Sequence, residues 1–154
     1  MGKFLRQGGD ALSEYVRHTA WLNAAPDAPE SKDSNPPPSI SRREALEAEE
    51  IEPEMPPIEW GEYLLSYLWA VGPSMAGGMG PAPLTCSELQ SWQGQMGIQL
   101  QPWESQLLRR LSKDYVAESG RATERNCPPP FGDSSNAEQL RQAELNRQLD
   151  AFLA

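Results

Sequence analysis

The chain has 154 residues, with 15 prolines, 12 glycines and a formal net charge of −9 at pH 7. This length accommodates one domain of ordinary size, but the many prolines and glycines favour a small folded unit with flexible additions. No segment is basic, which argues against binding to nucleic acid or to anionic membranes, because both attract clustered Lys and Arg.

The first predicted element is a short amphipathic helix over residues 10–24, within an N-terminal segment 1–25. Asp10 is a plausible N-cap, and Leu12 and Val16 recur at helical spacing. The apolar stripe is thin, so we expect this helix to dock against another part of the chain or to stay partly disordered. His18, the only histidine, is expected at the surface.

Residues 26–56 are predicted to form a proline-rich, acidic linker that contains one short helix. Ser41 and Glu44 have the spacing of a capping box, which predicts a helix over 41–52. A run of glutamates follows, and its simplest interpretation is a solvated connector. The alternative is an acidic arm that contacts a basic partner. The run comprises Glu44, Glu47, Glu49, Glu50, Glu52 and Glu54.

Residues 57–119 contain four of the five tryptophans and are predicted to be a helical core domain. Apolar periodicity indicates helices at about 59–71, 86–96 and 102–119. Gly72 ends the first helix, Thr85 and Glu88 form a capping box for the second, and Pro102 suits the first position of the third. The predicted core residues are Leu64, Leu68, Leu89, Trp92, Trp103, Leu107, Leu108, Leu111 and Tyr115.

A second proline-rich linker is predicted at 120–135, followed by a terminal helix over 136–153. Ser135 and Glu138 offer another capping box. The narrow apolar stripe of this helix comprises Leu140, Leu145, Leu149, Phe152 and Leu153. The predicted fold class is therefore all-α, with a small three-helix central unit, a flexible acidic, Pro-rich N-terminal region and a separate C-terminal amphipathic helix.

The sequence shows no set of residues that would run a reaction, so we expect a protein that is not an enzyme and uses no cofactor or metal. The glycines at 77–80 lack the Lys and Ser/Thr of a phosphate-binding loop. Cys86 and Cys127 are expected to be reduced thiols of a soluble intracellular protein.

Membrane insertion and DNA binding fit the sequence less well than protein binding does. Residues 63–87 carry no charge, as a membrane span would, but Gly72, Pro73 and two further prolines interrupt the run. The helices on either side of Gly97 have the length of a helix-turn-helix, yet the second begins Pro-Trp-Glu-Ser without a basic residue to read bases. Both interpretations are therefore disfavoured.

Three short helices cannot bury all the aromatic side chains of the central segment, so some are expected to contact another protein. The candidate contact residues are Trp60, Tyr63, Tyr67, Trp69, Met75 and Met79. For the four aromatic residues, ordinary packing in the core is an equally good interpretation. The two methionines lie in a glycine-rich loop and would make adaptable contacts.

Several motifs of residues 57–119 together resemble tail assembly chaperones of long-tailed bacteriophages, specifically their short helical downstream or frameshifted domain. The order is Tyr-Leu-Trp at 67–69, then Gly-Pro-Ala-Pro-Leu-Thr at 80–85, then Glu-Leu-x-x-Trp at 88–92. Gly-x-x-Leu-x-Pro-Trp-Glu follows at 97–104, and Leu-Leu-x-x-Leu-x-x-x-Tyr at 107–115.

This resemblance implies a non-enzymatic assembly factor in the cytoplasm of the infected host. It would bind the tape measure protein, recruit tail tube subunits and be absent from the finished virion. Two alternatives are a structural minor tail or connector protein that stays in the virion, and a small acidic regulatory protein that binds or mimics DNA.

Overall fold

A computed structural model describes residues 2–28, 38–132 and 134–154. The described chain is mostly helical, which confirms the predicted all-α class, and its strands form a single small hairpin. The elements are α1 (Gly2–Asn23), α2 (Arg42–Ala48), α3 (Glu62–Val71), β1 (Met75–Gly77), β2 (Gly80–Ala82), α4 (Cys86–Met96), α5 (Pro102–Arg121) and α6 (Ser134–Leu153).

Helix α1 is longer than predicted and packs against α5. Asp10 is therefore not an N-cap; it lies inside the helix and pairs with Arg110 on α5, with 2.6 Å between the two groups. Leu12 and Val16 are fully buried among residues of α3, α4 and α5. The central unit consequently contains α1 in addition to the three predicted helices, and α5 supplies the packing partner that the thin stripe of α1 requires.

The main core lies where α1, α3, α4 and α5 meet. Its buried members are Leu12, Val16, Leu64, Leu65, Leu68, Leu84, Leu89, Leu108 and Leu111. Trp92 is half-buried, and Leu107 and Tyr115 pack at the edge of this core. Trp103 lies at the surface instead of in the core, because it belongs to the first turn of α5, beyond the packed layer.

The ends of the helices follow local backbone chemistry. Ser41 and Glu44 form the predicted capping box of α2, but this helix ends at Ala48 because Glu50 adopts a left-handed conformation with φ of 57°. Helix α3 starts three residues later than predicted, after Gly61 with φ of 81°. Gly97 ends α4 with φ of 65°, as predicted.

The loop after α3 contains the hairpin that the sequence did not predict. Strands β1 and β2 pair in antiparallel register, with Gly77 opposite Gly80 and a two-residue turn between them. Ser112 on α5 fixes both ends of this loop: its hydroxyl accepts a bond from the Leu84 N–H at 2.8 Å and donates to the Pro73 carbonyl at 2.8 Å. Ser112 is fully buried, so these bonds hold the hairpin against α5.

A second, smaller cluster joins the segments that were predicted to be linkers. It contains Trp21, Leu22, Leu46, Ala122 and Cys127, with Leu140 of α6 packed against it. Helix α6 is therefore not separate from the fold, because its first half lies against α2. The prolines of the first linker at 29 and 36–37, and the predicted cap at Ser135, lie outside the described residues and side chains.

Arg42 and His18 are both buried in this part of the molecule. The Arg42 guanidinium donates to the carbonyls of Trp21, Ala122 and Glu124, and it also lies 4.5 Å from the centre of the Trp21 ring. The prediction of a surface His18 is wrong, because its ring stacks on Trp21 and meets the edge of Phe131. Burial lowers the pKa of His18.

Candidate protein-binding surface

Helix α3 is apolar on almost all sides, so the burial of one face leaves aromatic side chains on the other. Leu64, Leu65 and Leu68 face the core, whereas Tyr63 is 41% exposed and Trp69 is 36% exposed. The small residues Ser66 and Ala70 are exposed on the same side of the helix. We refer to Tyr63, Ser66, Trp69 and Ala70 as the α3 surface.

Tyr63 is held in place from two directions. Its hydroxyl donates to the Glu104 carboxylate at 2.6 Å, and its ring meets the edge of Tyr67 with centroids 5.6 Å apart. Desolvation and the bond to Glu104 raise the pKa of Tyr63, so the phenol stays neutral. Its exposed ring face is thus presented in a fixed orientation.

Tyr67 and Trp60 are mainly packing residues. Tyr67 contacts Trp92 of α4 edge to face, with centroids 5.3 Å apart. Trp60 stacks on Trp103 at 5.8 Å and also lies close against Gly8 of α1, where an added Cβ would come within 2.6 Å of the indole. Trp60 is half-buried for this reason, and the Trp60–Trp103 pair covers the end of the main core.

The remaining candidate contact residues occupy different environments. Trp69 meets the edge of Tyr115, with centroids 6.0 Å apart, and keeps about a third of its surface in solvent. Met75 is half-buried in β1, while Met79 is fully exposed in the hairpin turn. Of the six candidates, Tyr63, Trp69 and Met79 are the ones that another protein could contact directly.

Ser66 and Ala70 are not among the contact residues predicted from the sequence. They are small and lack chemistry of their own, but helical spacing from Tyr63 places them on the exposed face of α3. Together the four residues form a face in which two aromatic rings flank a shallow depression lined by small side chains. A face of this shape accepts the ridge of a second helix.

Other exposed apolar side chains of the described chain lie outside the α3 surface. Met96, the last residue of α4, is exposed. Leu145, Leu149, Phe152 and Leu153 are exposed on α6, and we refer to these four as the α6 stripe. Leu140 belongs to the opposite, packed side of α6, so the predicted single stripe is in fact two faces.

Several charged groups of the described chain form ion pairs or hydrogen bonds between structural elements. Glu118 is buried and binds Arg121 at 2.9 Å and Arg17 at 3.5 Å. Ser13 donates to Asp114 at 2.6 Å, but no histidine lies beside this pair, since His18 packs against Trp21 and Phe131. Among residues 2–28, 38–132 and 134–154, no three His, Cys, Asp or Glu side chains are grouped so that they could bind a metal ion.

None of the helices in the described ranges is long and apolar enough to cross a membrane. Comparisons with protein-family models, with curated proteins and with solved structures find no match for this chain. The resemblance of residues 57–119 to tail assembly chaperones therefore stays a prediction from the sequence.

Proposed function

We propose that this chain is a non-enzymatic tail assembly chaperone of a long-tailed bacteriophage. It binds the tape measure protein in the host cytoplasm and recruits tail tube subunits during tail assembly. The observation that carries the proposal is the α3 surface, where Tyr63 and Trp69 are exposed on one side of α3. The order of the motifs in residues 57–119 is the basis for proposing the tail assembly chaperone family.

The contacts of the α3 surface suit an apolar helix as the partner. Tyr63 and Trp69 are rigid, half-exposed rings, a type of residue that dominates binding energy at protein interfaces. Ser66 and Ala70 lie between them and leave room for the side chains of a second helix. Met79 in the hairpin turn adds a flexible apolar contact.

The negative charge of the chain would help to keep such a complex in solution. An apolar helix that is not yet assembled aggregates with its own copies unless its surface is covered. A bound chain of net charge −9 covers that surface and adds repulsion between complexes. Binding and solubilisation then need no chemical step, which is the basis for proposing a role other than catalysis.

The test is co-expression of the full chain with the tape measure protein of the phage that encodes it. Ser66→Arg places a large charged side chain in the middle of the α3 surface without removing a core contact. Ser91→Arg is the matched control, because Ser91 is an exposed serine inside α4. We expect the wild type and Ser91→Arg to retain the tape measure protein, and Ser66→Arg to retain at least tenfold less.

Two results would contradict the proposal. One is a wild-type chain that does not retain the tape measure protein, and the other is an equal loss in both arginine variants. Mass spectrometry of purified particles provides a separate check: stoichiometric amounts of the chain in the virion would favour a structural tail protein instead.

A further inference from the structure

Helix α6 has two faces with different roles, and one of them is fixed to the rest of the fold. Leu140 and Ala143 pack toward α2 and the second cluster. Glu144 pairs with Arg125, and Arg147 donates to the Pro38 carbonyl at 2.6 Å. These contacts hold α6 as far as Arg147 and set the direction of the whole helix.

The other face carries the α6 stripe. Its members are exposed by 53% (Leu145), 55% (Leu149), 88% (Phe152) and 80% (Leu153). Their spacing of i, i+4, i+7 and i+8 places them on one side of the helix. Every residue from 148 to 154 is exposed, so the end of α6 projects from the fold without a packing partner in the described chain.

The stripe is complementary to itself when two copies run antiparallel. With Leu149 at the two-fold axis, Leu145 of one copy faces Leu153 of the other, and the reverse pair forms by symmetry. Gln142 and Asn146, two residues on the same side of the helix as the stripe, are uncharged. The paired helices would therefore bring apolar side chains together without opposing like charges.

A parallel pair is disfavoured by charge. It would bring Glu138 and Arg141 beside their own copies and would align the two helix dipoles. It would also place both folded bodies, each of net charge −9, at the same end of the pair. The antiparallel arrangement places the bodies at opposite ends, where their repulsion is smaller.

We propose that two copies of this chain associate through antiparallel pairing of their α6 stripes, with Leu149 at the two-fold axis. Four apolar side chains per copy, at roughly 100 Å² each, bury about 800 Å² in total. This area is smaller than that of standard stable interfaces. The dimer is therefore weak, and its population rises with protein concentration.

Sedimentation velocity over a concentration series tests the association in the full chain. We expect the wild type to change from monomer to dimer, and Leu149→Asp to weaken the dimer at least tenfold. Met96→Asp is the matched control, because Met96 is an apolar side chain exposed by 56%, close to the 55% of Leu149, but lies at the end of α4. Circular dichroism shows whether the variants keep their helix content.

Cysteine cross-linking tests the register, in a Cys86→Ser background that removes the exposed thiol. Leu149→Cys is expected to form a disulfide with its own copy. Leu145→Cys alone is not, because the two positions would be about 12 Å apart along the helix axis. A mixture of Leu145→Cys and Leu153→Cys chains is expected to form the mixed disulfide.

Three outcomes overturn the proposal. The first is a wild type that stays monomeric at millimolar concentration. The second is self-cross-linking of Leu145→Cys as efficient as that of Leu149→Cys, which indicates parallel pairing. The third is loss of the dimer in Met96→Asp, which indicates a contact of α6 with the end of α4 of another copy. None of these results bears on whether the tape measure protein binds to the α3 surface.

Discussion

Replacement of Arg42 by alanine should be among the most destabilising single changes in this chain. The Arg42 guanidinium is buried and donates to three backbone carbonyls, at 3.1 Å to Trp21, 2.7 Å to Ala122 and 3.1 Å to Glu124. These carbonyls lie at the end of α1 and in the segment that follows α5. A side chain of α2 thus joins three parts of the chain that are far apart in sequence.

The expected loss follows from the contacts that disappear. Hydrogen bonds from a charged donor contribute about 1.5–3 kcal/mol each, and the contact with the Trp21 ring contributes about 1 kcal/mol. Against this, the buried guanidinium has lost its hydration at a cost of several kcal/mol, and the substitution removes that cost. We expect Arg42→Ala to lower the free energy of unfolding by about 3 kcal/mol.

Urea denaturation of the full chain measures this change, and Arg43→Ala is the matched control. Arg43 makes one exposed bond, to the Asn23 side chain, so its loss should cost less than about 0.5 kcal/mol. Arg42→Lys should lie between the two, because one ammonium group cannot reproduce the fork of the guanidinium. Equal unfolding free energies for Arg42→Ala and Arg43→Ala would refute the assignment of Arg42 as the link between these segments.

Three further predictions use the same denaturation assay. Ser112→Ala should lower the free energy of unfolding by about 2 kcal/mol, because it leaves a buried N–H and a half-buried carbonyl without their partner. A change within about 0.5 kcal/mol, as expected for exposed Ser87→Ala, would contradict this role. Gly61→Ala should lower the free energy of unfolding by at least about 1 kcal/mol, since φ is 81° and the new Cβ would meet Leu12 at 2.9 Å. Gly94→Ala is the control: Gly94 lies inside α4 with open space around it, so this change should raise the free energy of unfolding by about 0.5–1 kcal/mol. Burial lowers the pKa of His18 in the folded state, so the unfolded chain takes up a proton first as the pH falls through about 6.5, and stability decreases toward acid. His18→Gln should remove that part of the pH dependence, and an unchanged profile would show that His18 does not contribute to it.

The helices of the central unit could be predicted because their limits depend on neighbouring residues. Gly72, Gly97 and Pro102 mark helix ends through backbone conformation or a missing N–H, and the structure has helix ends at these positions. Asp10 shows where this reasoning fails. Its side chain suits an N-cap, but packing of α1 on α5 extends the helix past it, and Asp10 pairs with Arg110 instead.

The second cluster could not be predicted because its contacts join residues that have no periodic relation. Arg42 and Ala122 are 80 positions apart, and Trp21 donates its indole N–H to the Cys127 carbonyl across 106 positions. Proline-rich and acidic composition correctly indicates segments without long helices, but it says nothing about whether they dock. A basic residue next to a capping box, such as Arg42, gives no sign of burial.

The candidate site depends on that unpredicted docking. If α1 did not pack on α5, Trp60 would lose its cover at Gly8 and would be an exposed anchor like Tyr63. With α1 in place, Trp60 and Tyr67 stabilise the junctions between helices, and only Tyr63 and Trp69 remain as exposed rings on α3. The N-terminal helix therefore covers Trp60, and Trp92 of α4 covers Tyr67, which leaves one aromatic face on α3. A face of this width matches a single partner helix, and for that reason one substitution at Ser66 is expected to block the whole contact.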